Sequence, residues 1–487
     1  MLLLRDEVLR AHNAKLLEQH LGVIRDVHSG QCDLTALYAR KLIDTLTIAA
    51  QAKLYEESLR DWRNEKFVTK AKAQSSESIL NDTFPALPLL PKEKLREQSR
   101  DAFTRSADRF LHYYESSGTT GDPVAAPKSV DDLVFNTTNI GELWGRLLTT
   151  QDRALNLING PFAPAGYQFE KVLEYLGVMS LRLWVDNVTG NYTRVLRLIS
   201  ELAVNTYVGS ASRLLEMIHF ALHNSEPLPA FDHLLLVAEQ TGPAFLRHLE
   251  RVTGARAYVG CYGSSETGTL AVTCEYGQMH LQTQSYILEL RDERGIRLVD
   301  GKADRGELIV TTLDLPARPL IRYCTGDLVE VDGGRCGCGL NPPVVRTLGR
   351  VQDVVAMADG GVRQDDFEEV LWGTDVPGPN VLSYMLVLRG RDVVCLVTVD
   401  KDPSDGWTDS TATRLGPLFA GKNFAVRVVQ TLPPLASLGS YVGWKLSRVL
   451  DLSKPQMWER LPEPIGVVVR RTLAEIEATT GLRPDEQ

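Results

Sequence analysis

At 487 residues the chain is long, about three times a typical single domain, so a large domain and at least one smaller one are expected. Its 44% hydrophobic and 24% charged residues match a soluble globular protein and exclude a mostly disordered, collagenous or disulfide-scaffold chain. A formal charge of −9 makes a basic nucleic-acid footprint a poor first expectation.

The opening Met1-Leu2-Leu3-Leu4, followed at once by Arg5-Asp6-Glu7, is too short an apolar run for a signal peptide core. No stretch of eighteen or more apolar residues predicts a membrane span, and seven cysteines in so long a chain do not form a secreted disulfide framework. A reducing cytoplasm is the expected location. The first hundred residues are expected to be helical, with Leu9, Leu16, Leu17, Leu21 and Ile24 near helical spacing. Prolines between Pro85 and Pro91 break that pattern as a connector, and a polar helix resumes over Lys92 to Arg100.

From about residue 110 to 265 short apolar runs alternate with helical patterns. The runs are Leu155 to Ile158, Leu181 to Val185, Asn205 to Val208, Leu234 to Ala238 and Ala257 to Cys261; the helices include Arg213 to Leu222 and Ala244 to Val252. That order predicts crossover units and a largely parallel sheet. Residues 279 to 333 change to strand pairs with turns at Asp292 to Gly295 and Asp332 to Gly334, a mixed β subdomain. Past Leu348-Gly349-Arg350 a hairpin around Asp359 to Gly361, a helix from Asp365 and strands near Leu386 and Val394 predict a smaller α+β domain.

The segment Tyr113-Tyr114-Glu115-Ser116-Ser117-Gly118-Thr119-Thr120-Gly121-Asp122-Pro123 is the most informative. Its glycines let the backbone turn tightly against a ligand, and its hydroxyls and amides can wrap anionic oxygens, although such strings also suit plain surface turns. It lacks the Gly-Lys-Ser/Thr end of a Walker A loop. Further along stand Tyr262-Gly263-Ser264-Ser265-Glu266, Tyr323-Cys324-Thr325-Gly326-Asp327, Gly349-Arg350 and Gly443-Trp444-Lys445-Leu446-Ser447-Arg448.

In this order the segments resemble the adenylate-forming superfamily of acyl-CoA synthetases, aryl-CoA ligases and peptide-synthetase adenylation domains. The phosphate loop, the Leu-Pro-Leu-Leu-Pro-Lys-Glu-Lys-Leu connector and Pro-Leu-Ile-Arg-Tyr look most like the phenylacetate-CoA ligase branch. The resemblance spans about residues 85 to 450. It implies an α/β fold with a large N-terminal domain of mainly parallel sheets and a β subdomain, residues 1–348. A small mobile α+β domain, 349–487, would carry the catalytic lysine.

The implied reaction is attack of a carboxylate on the α-phosphorus of ATP, where donors and cations must offset the repulsion of two anions. Ser116, Ser117, Gly118, Thr119, Thr120 and Gly121 would hold the β- and γ-phosphates. Glu266 resembles the family's magnesium ligand, and Ser265 stands for a more frequent threonine. Tyr262, beside Gly263, would lie against adenine, Ala238-Glu239 would give the base its backbone edge, and Asp327 with Arg350 would take the ribose. Lys445 is the candidate catalytic cation, with Lys454 its competitor. The usual Gly-Arg-x-Asp hinge reads Gly349-Arg350-Val351-Gln352-Asp353, so Gln352 occupies the aspartate position.

Cys274, His280, Cys336 and Cys338 could complete a closed tetrahedral zinc shell, as in some members of the branch; reduced unpaired cysteines are the alternative. The acid would meet Asn159, Gly160, Pro161, Phe162, Gln240, Gly260 and Cys261, and Glu239 or Gln240 could face a polar substituent. Only Asp186 stands near where amino-acid-activating relatives hold an α-amino group, which favours an aryl acid. Coenzyme A is the first acceptor to expect, then a carrier-protein thiol or an amine, and residues 452 to 487 are too few for a fused carrier domain. Expected partners are therefore the acid, ATP and coenzyme A or a carrier protein, with a homodimer admitted and neither nucleic acid nor membrane. Two readings stand beside this one: a nucleotide binder without catalysis, and a transferase passing the acyl group to a partner protein.

Overall fold

The computed structural model describes residues 4–116, 123–158, 164–183, 185, 191–350, 361–373, 378–432, 448–453 and 463–482. The chain divides into two compact units, each gathered from separate stretches. Residues 1–152, 162–180 and 259–352 make the first, and 153–161, 181–258 and 353–487 the second.

The helices expected at the N-terminus are Glu7–His28 and Leu34–Ala49. Asp6 and Asp33 start them, their carboxylates accepting the Leu9 N–H at 2.8 Å and the Ala36 N–H at 3.1 Å, which satisfies first-turn donors that the helix itself cannot. The buried face of the first helix differs from the leucine stripe expected: it is Asn13, His20, Ile24 and Val27, while Leu9 is 39% exposed. Polar His20 is accommodated because its Nε2 meets Asn139 Oδ1 at 2.8 Å. Burial lowers its pKa to about 4, so it packs as a neutral ring. The proline connector does more than break the helix, since Leu90 exchanges backbone hydrogen bonds with Arg322 and Cys324 at 2.9 and 3.0 Å, beside Tyr323.

Strands β1 (His112–Glu115) and β2 (Ala125–Lys128) form an antiparallel hairpin with Glu115 opposite Ala125. The helix Val130–Trp144 follows, begun by a capping box in which the Asp132 carboxylate accepts from the Ser129 N–H at 2.8 Å and from its hydroxyl. Next come β3 (Arg153–Leu157), β4 (Met179–Arg182), β5 (Thr206–Gly209), β6 (His233–Leu236) and β7 (Arg256–Val259). They form a five-stranded sheet in the order β4-β3-β5-β6-β7, with β3-β5 and β5-β6 parallel. Crossover helices Thr193–Glu201, Ala211–His223 and Pro243–Thr253 alternate with these strands, as parallel pairing demands. The expected strand at Leu181 to Val185 begins earlier, at Met179, and ends at Arg182.

Strands β8 (Cys261–Ser264), β9 (Gly268–Thr273), β10 (Met279–Leu281), β11 (Tyr286–Asp292), β12 (Gly295–Leu298), β13 (Asp304–Thr312), β14 (Tyr323–Asp332) and β15 (Val344–Arg350) form one sheet in the order β12-β11-β13-β14-β15-β10-β9-β8. Its pairings are antiparallel throughout. The β subdomain is thus wider than the expected 279–333, because the Gly263–Gly268 hairpin and the return strand at Val344 join it.

The second unit also holds β16 (Val381–Arg389), β17 (Asp392–Val399), β18 (Asn423–Val428) and β19 (Val449–Asp451), in the order β18-β17-β16-β19. Helices Gln364–Leu371, Trp407–Leu415 and Glu463–Thr480 accompany them. One apolar core joins this sheet to the five-stranded one: Leu214, Leu234, Phe245 and Leu249 pack in the same cluster as Phe367, Trp372, Tyr384 and Val397.

Candidate functional site

In the first unit the site residues gather on the β8–β9 hairpin and the β14–β15 ladder. Tyr262 and Gly263 lie on β8, and Ser265 and Glu266 in the turn that follows. A side chain at position 263 would place a Cβ 2.1 Å from the Gly268 carbonyl oxygen, so only glycine permits this approach of the two strands. The turn is cross-tied by Ser264 and Thr267, whose backbone N–H groups each donate to the other's hydroxyl at 3.2 Å, and by the Tyr286 hydroxyl, which donates to the Thr267 carbonyl at 2.9 Å. Glu266 is therefore fixed and only 7% exposed, and its carbonyl accepts Arg318 Nη2 at 2.8 Å.

The Tyr262 hydroxyl donates to Asp327 Oδ2 at 2.8 Å. Asp327 faces Arg350 in the β14–β15 register, and its N–H donates to Thr325 Oγ1 at 3.1 Å. Three residues expected at the nucleotide thus meet in one sheet, though Asp327 spends one oxygen lobe on the tyrosine; the Arg350 side chain lies outside the described residues. Ser116 closes the β1–β2 hairpin: its N–H donates to the Val124 carbonyl at 2.9 Å and its Oγ accepts the Val124 N–H at 2.8 Å. Gly260 gives its carbonyl to Trp144 Nε1 at 3.0 Å and to the Thr273 N–H at 3.1 Å, and Cys261 sits opposite Val272.

In the second unit Ala238, Glu239 and Gln240 follow β6. Ala238 has φ of +73°, a left-handed backbone that costs a non-glycine residue of order 1 kcal/mol and persists where the surroundings impose it. The Glu239 carboxylate is consumed internally: it accepts the Ser212 N–H at 2.6 Å and hydroxyl at 2.7 Å and lies 3.7 Å from Arg448 Nη2. This corrects the expectation that it could face a polar substituent, and leaves its backbone to offer. Gln240 is engaged too, its Nε2 donating to Asp365 at 3.3 Å and its carbonyl accepting Gln364 Nε2 at 3.2 Å.

Arg448, three residues after Lys445, is buried. Its guanidinium lies 4.4 Å from the Phe245 ring centroid, 5.1 Å from Tyr384 and 6.0 Å from Trp372, and Nη2 donates to Ser212 Oγ at 3.1 Å. Ser117, Gly118, Thr119, Thr120, Gly121, Asn159, Gly160, Pro161, Phe162, Lys445, Asp186, Gln352, Asp353 and Lys454 lie outside the described residues.

The metal-ligand candidates converge. One donor atom each from Cys274, His280, Cys336 and Cys338 lies within 4.8 Å of all the others. The Cys274 and Cys336 sulfurs are 3.7 Å apart, and Cys338 Sγ is 3.2 Å from His280 Nε2. With zinc–sulfur bonds of about 2.3 Å a tetrahedron has edges of about 3.8 Å, close to the Cys274–Cys336 separation, so the donor types and their convergence fit a zinc site. Pro342 O, 2.8 Å from His280 Nδ1, holds the tautomer that leaves Nε2 free, and burial lowers the imidazole pKa, keeping it a neutral donor. The Leu340 N–H points at Cys338 Sγ at 3.5 Å.

Sequence reasoning passed over Thr267, which locks the Glu266 turn, and over Lys128, Arg318 and the aromatic surround of Arg448. Nothing in the sequence around these cations sets them apart from surface residues, and it is contact with distant segments that covers Arg318 and Arg448.

The profile of AMP-binding enzymes matches residues 38–312. Phenylacetate-coenzyme A ligase of Thermus thermophilus is 24% identical over 406 residues, 77% of this chain and 88% of that protein. The structure of 2-hydroxyisobutyryl-CoA ligase in the postadenylation state, in complex with 2-HIB-AMP, aligns with a TM-score of 0.68 at 16% identity over 90% of this chain and 91% of that one. Its thioesterification-state complex with 2-HIB-AMP and CoA gives 0.57 at 18% identity, over 85% and 89%.

Proposed function

The chain belongs to the AMP-binding enzymes, and we propose that it activates a carboxylic acid, an aryl acid by preference, and ligates it to coenzyme A. A carboxylate oxygen attacks the α-phosphorus of ATP, the bond to the bridging oxygen breaks, and pyrophosphate leaves. The thiol sulfur of coenzyme A then attacks the acyl carbon of the adenylate, AMP departs with the bonding electrons, and the thiol proton passes to solvent. The observation that carries this reading is the meeting of Tyr262, Asp327 and the register partner Arg350 in the sheet that also holds the Glu266 turn. That the phenylacetate-coenzyme A ligase relative spans most of the chain supports it.

Tyr262 stacks on adenine, Asp327 and Arg350 take the ribose, and the backbone at Ala238 and Glu239 meets the base edge. Residues 116–121 wrap the phosphates, and Lys445 offsets the charge of the approaching carboxylate and the α-phosphate. Glu266, carried on the cross-tied turn, would hold magnesium, which neutralises phosphate oxygens. Cys274, His280, Cys336 and Cys338 would hold a structural zinc closed to substrate, bracing the sheet between the nucleotide motifs. Gly260 and Cys261 with residues 159–162 and Gln240 line the acid. The test is acid-dependent exchange of labelled pyrophosphate into ATP over aryl, fatty and amino acids. Exchange with an aryl acid, and thioester only when coenzyme A is added, is the expected result; exchange with amino acids alone, or turnover indifferent to coenzyme A, would overturn the acid or the acceptor respectively.

A further inference from the structure

The loop between β13 and β14 is pinned along its backbone. The Ala317 N–H lies 3.4 Å from Asp132 Oδ1, and the Ala317 carbonyl accepts the Thr104 N–H at 3.2 Å. The Pro319 carbonyl accepts the Tyr55 hydroxyl at 3.0 Å, and the Ile321 and Arg322 N–H groups reach Tyr55 and Thr311 hydroxyls at 3.2 and 2.8 Å. Two arginines on this loop are both buried, yet they are used in opposite ways. Arg322 satisfies its guanidinium fully, in a bidentate pair with Glu289 at 2.8 and 3.0 Å and in bonds to the Pro85 and Leu87 carbonyls. Arg318, at 3% exposure, makes one bond, to the Glu266 carbonyl, and its Nε and Nη1 have no partner among the described residues.

A buried guanidinium with two unused donors costs free energy that a folded chain ordinarily avoids. Loose packing does not account for it, because the backbone on both sides of Arg318 is hydrogen-bonded. Lys128, at the end of β2, is a second covered cation, with Asp132 and Glu266 as its neighbouring carboxylates. It joins the same neighbourhood through Asp132, which caps the adjoining Ser129 and also meets Ala317. Asp132 is committed to its cap, so Glu266 is the other local carboxylate, and a metal on Glu266 would leave the cations to be balanced by another anion.

We propose that Arg318, assisted by Lys128, is a built oxyanion seat beside Glu266 that takes a terminal phosphate oxygen of ATP and, after adenylation, of pyrophosphate. The proposal rests on the acid-activating reading above. Its chemistry is a buried guanidinium with two unused donors, Nε and Nη1, on different edges of the plane, either of which can donate to a phosphate oxygen.

The test is calorimetric binding of inorganic pyrophosphate with magnesium, and separately of AMP, to the full chain and to its Arg318→Met and Lys128→Met variants. Loss of a buried charged donor is expected to weaken pyrophosphate about thirtyfold in Arg318→Met and in the same direction in Lys128→Met, with AMP affinity unchanged in both. A purely structural role would lower both affinities together, and that result, or unaltered pyrophosphate binding in a folded Arg318→Met, would overturn the seat. If Arg318→Met does not fold, Lys128→Met decides by the same pyrophosphate-against-AMP comparison. Wild-type protein that binds AMP but not pyrophosphate would refute the seat alone, whereas binding of neither would refute the acid-activating reading with it.

Discussion

Arg448→Met removes a charge that the second unit buries between aromatic rings, and the structure sets the size of the effect. The arginine stacks over Phe245 at 4.4 Å and approaches Tyr384 and Trp372, while Nη2 serves Ser212 and stands 3.7 Å from Glu239. Removing one partner of a buried pair commonly costs about 3–5 kcal/mol, and stacked cations add up to about 2 kcal/mol. Two terms reduce the loss: methionine refills the apolar space of the stem, and Glu239 keeps its two bonds to Ser212. A net cost of about 3 kcal/mol follows, which lowers the melting temperature of a unit this size by about 6–12 °C. Differential scanning calorimetry that separates the transitions of the two units measures it. Arg448→Lys, which keeps charge but not the planar stack, is expected to fall between. A shift under about 2 °C, or one confined to the first unit, would refute the view that this arginine anchors the segment after Lys445.

Glu368 is buried, and desolvation pushes its carboxyl up to about 7 from 4.5. The folded state then keeps a proton that the unfolded state has lost, so this group's stabilising contribution is present below pH 4.5 and is lost as pH rises towards 7. Glu368→Gln is expected to flatten that slope in melting curves of the second unit, and an unchanged slope would refute the assignment. Tyr262→Phe removes the bond to Asp327 and is expected to weaken nucleotide binding by about 1 kcal/mol, about fivefold, as read by titration; equal affinity would deny the pair a role. Metal analysis is expected to find about one zinc per chain, lost in the Cys336→Ser, Cys338→Ser double variant, and zinc retained there would exclude the four-ligand shell. Lys445→Ala is expected to cut adenylate formation by about a hundredfold or more with ATP affinity and melting unchanged, and normal adenylation would move the role elsewhere.

The alternation of apolar runs and helical patterns predicted parallel pairing, which β3, β5 and β6 show, because crossover units are local in sequence. The width of the antiparallel sheet was less visible, since the pairing of Tyr262 with β9 and the return of Val344 beside Met279 are fixed by register between distant segments. Ligand types with strong chemical identity were legible: Cys274, His280, Cys336 and Cys338 do converge. The face of the first helix was not, because buried His20 is held by Asn139 on another helix rather than by hydrophobicity. Arg318 escaped notice for the same reason, as nothing in Pro-Ala-Arg-Pro distinguishes a covered arginine from an exposed one until Glu266 is folded against it.

Direct detection of the acyl-adenylate tests the central claim most sharply. The protein is mixed with ATP, magnesium and one aryl acid at a time, quenched, and measured by mass spectrometry before and after addition of coenzyme A. Enzyme-bound acyl-AMP that forms with an aryl acid and discharges to the coenzyme A thioester is the predicted result. ATP binding without any acyl-AMP, across aryl, fatty and amino acids, would contradict it and leave a nucleotide-binding protein.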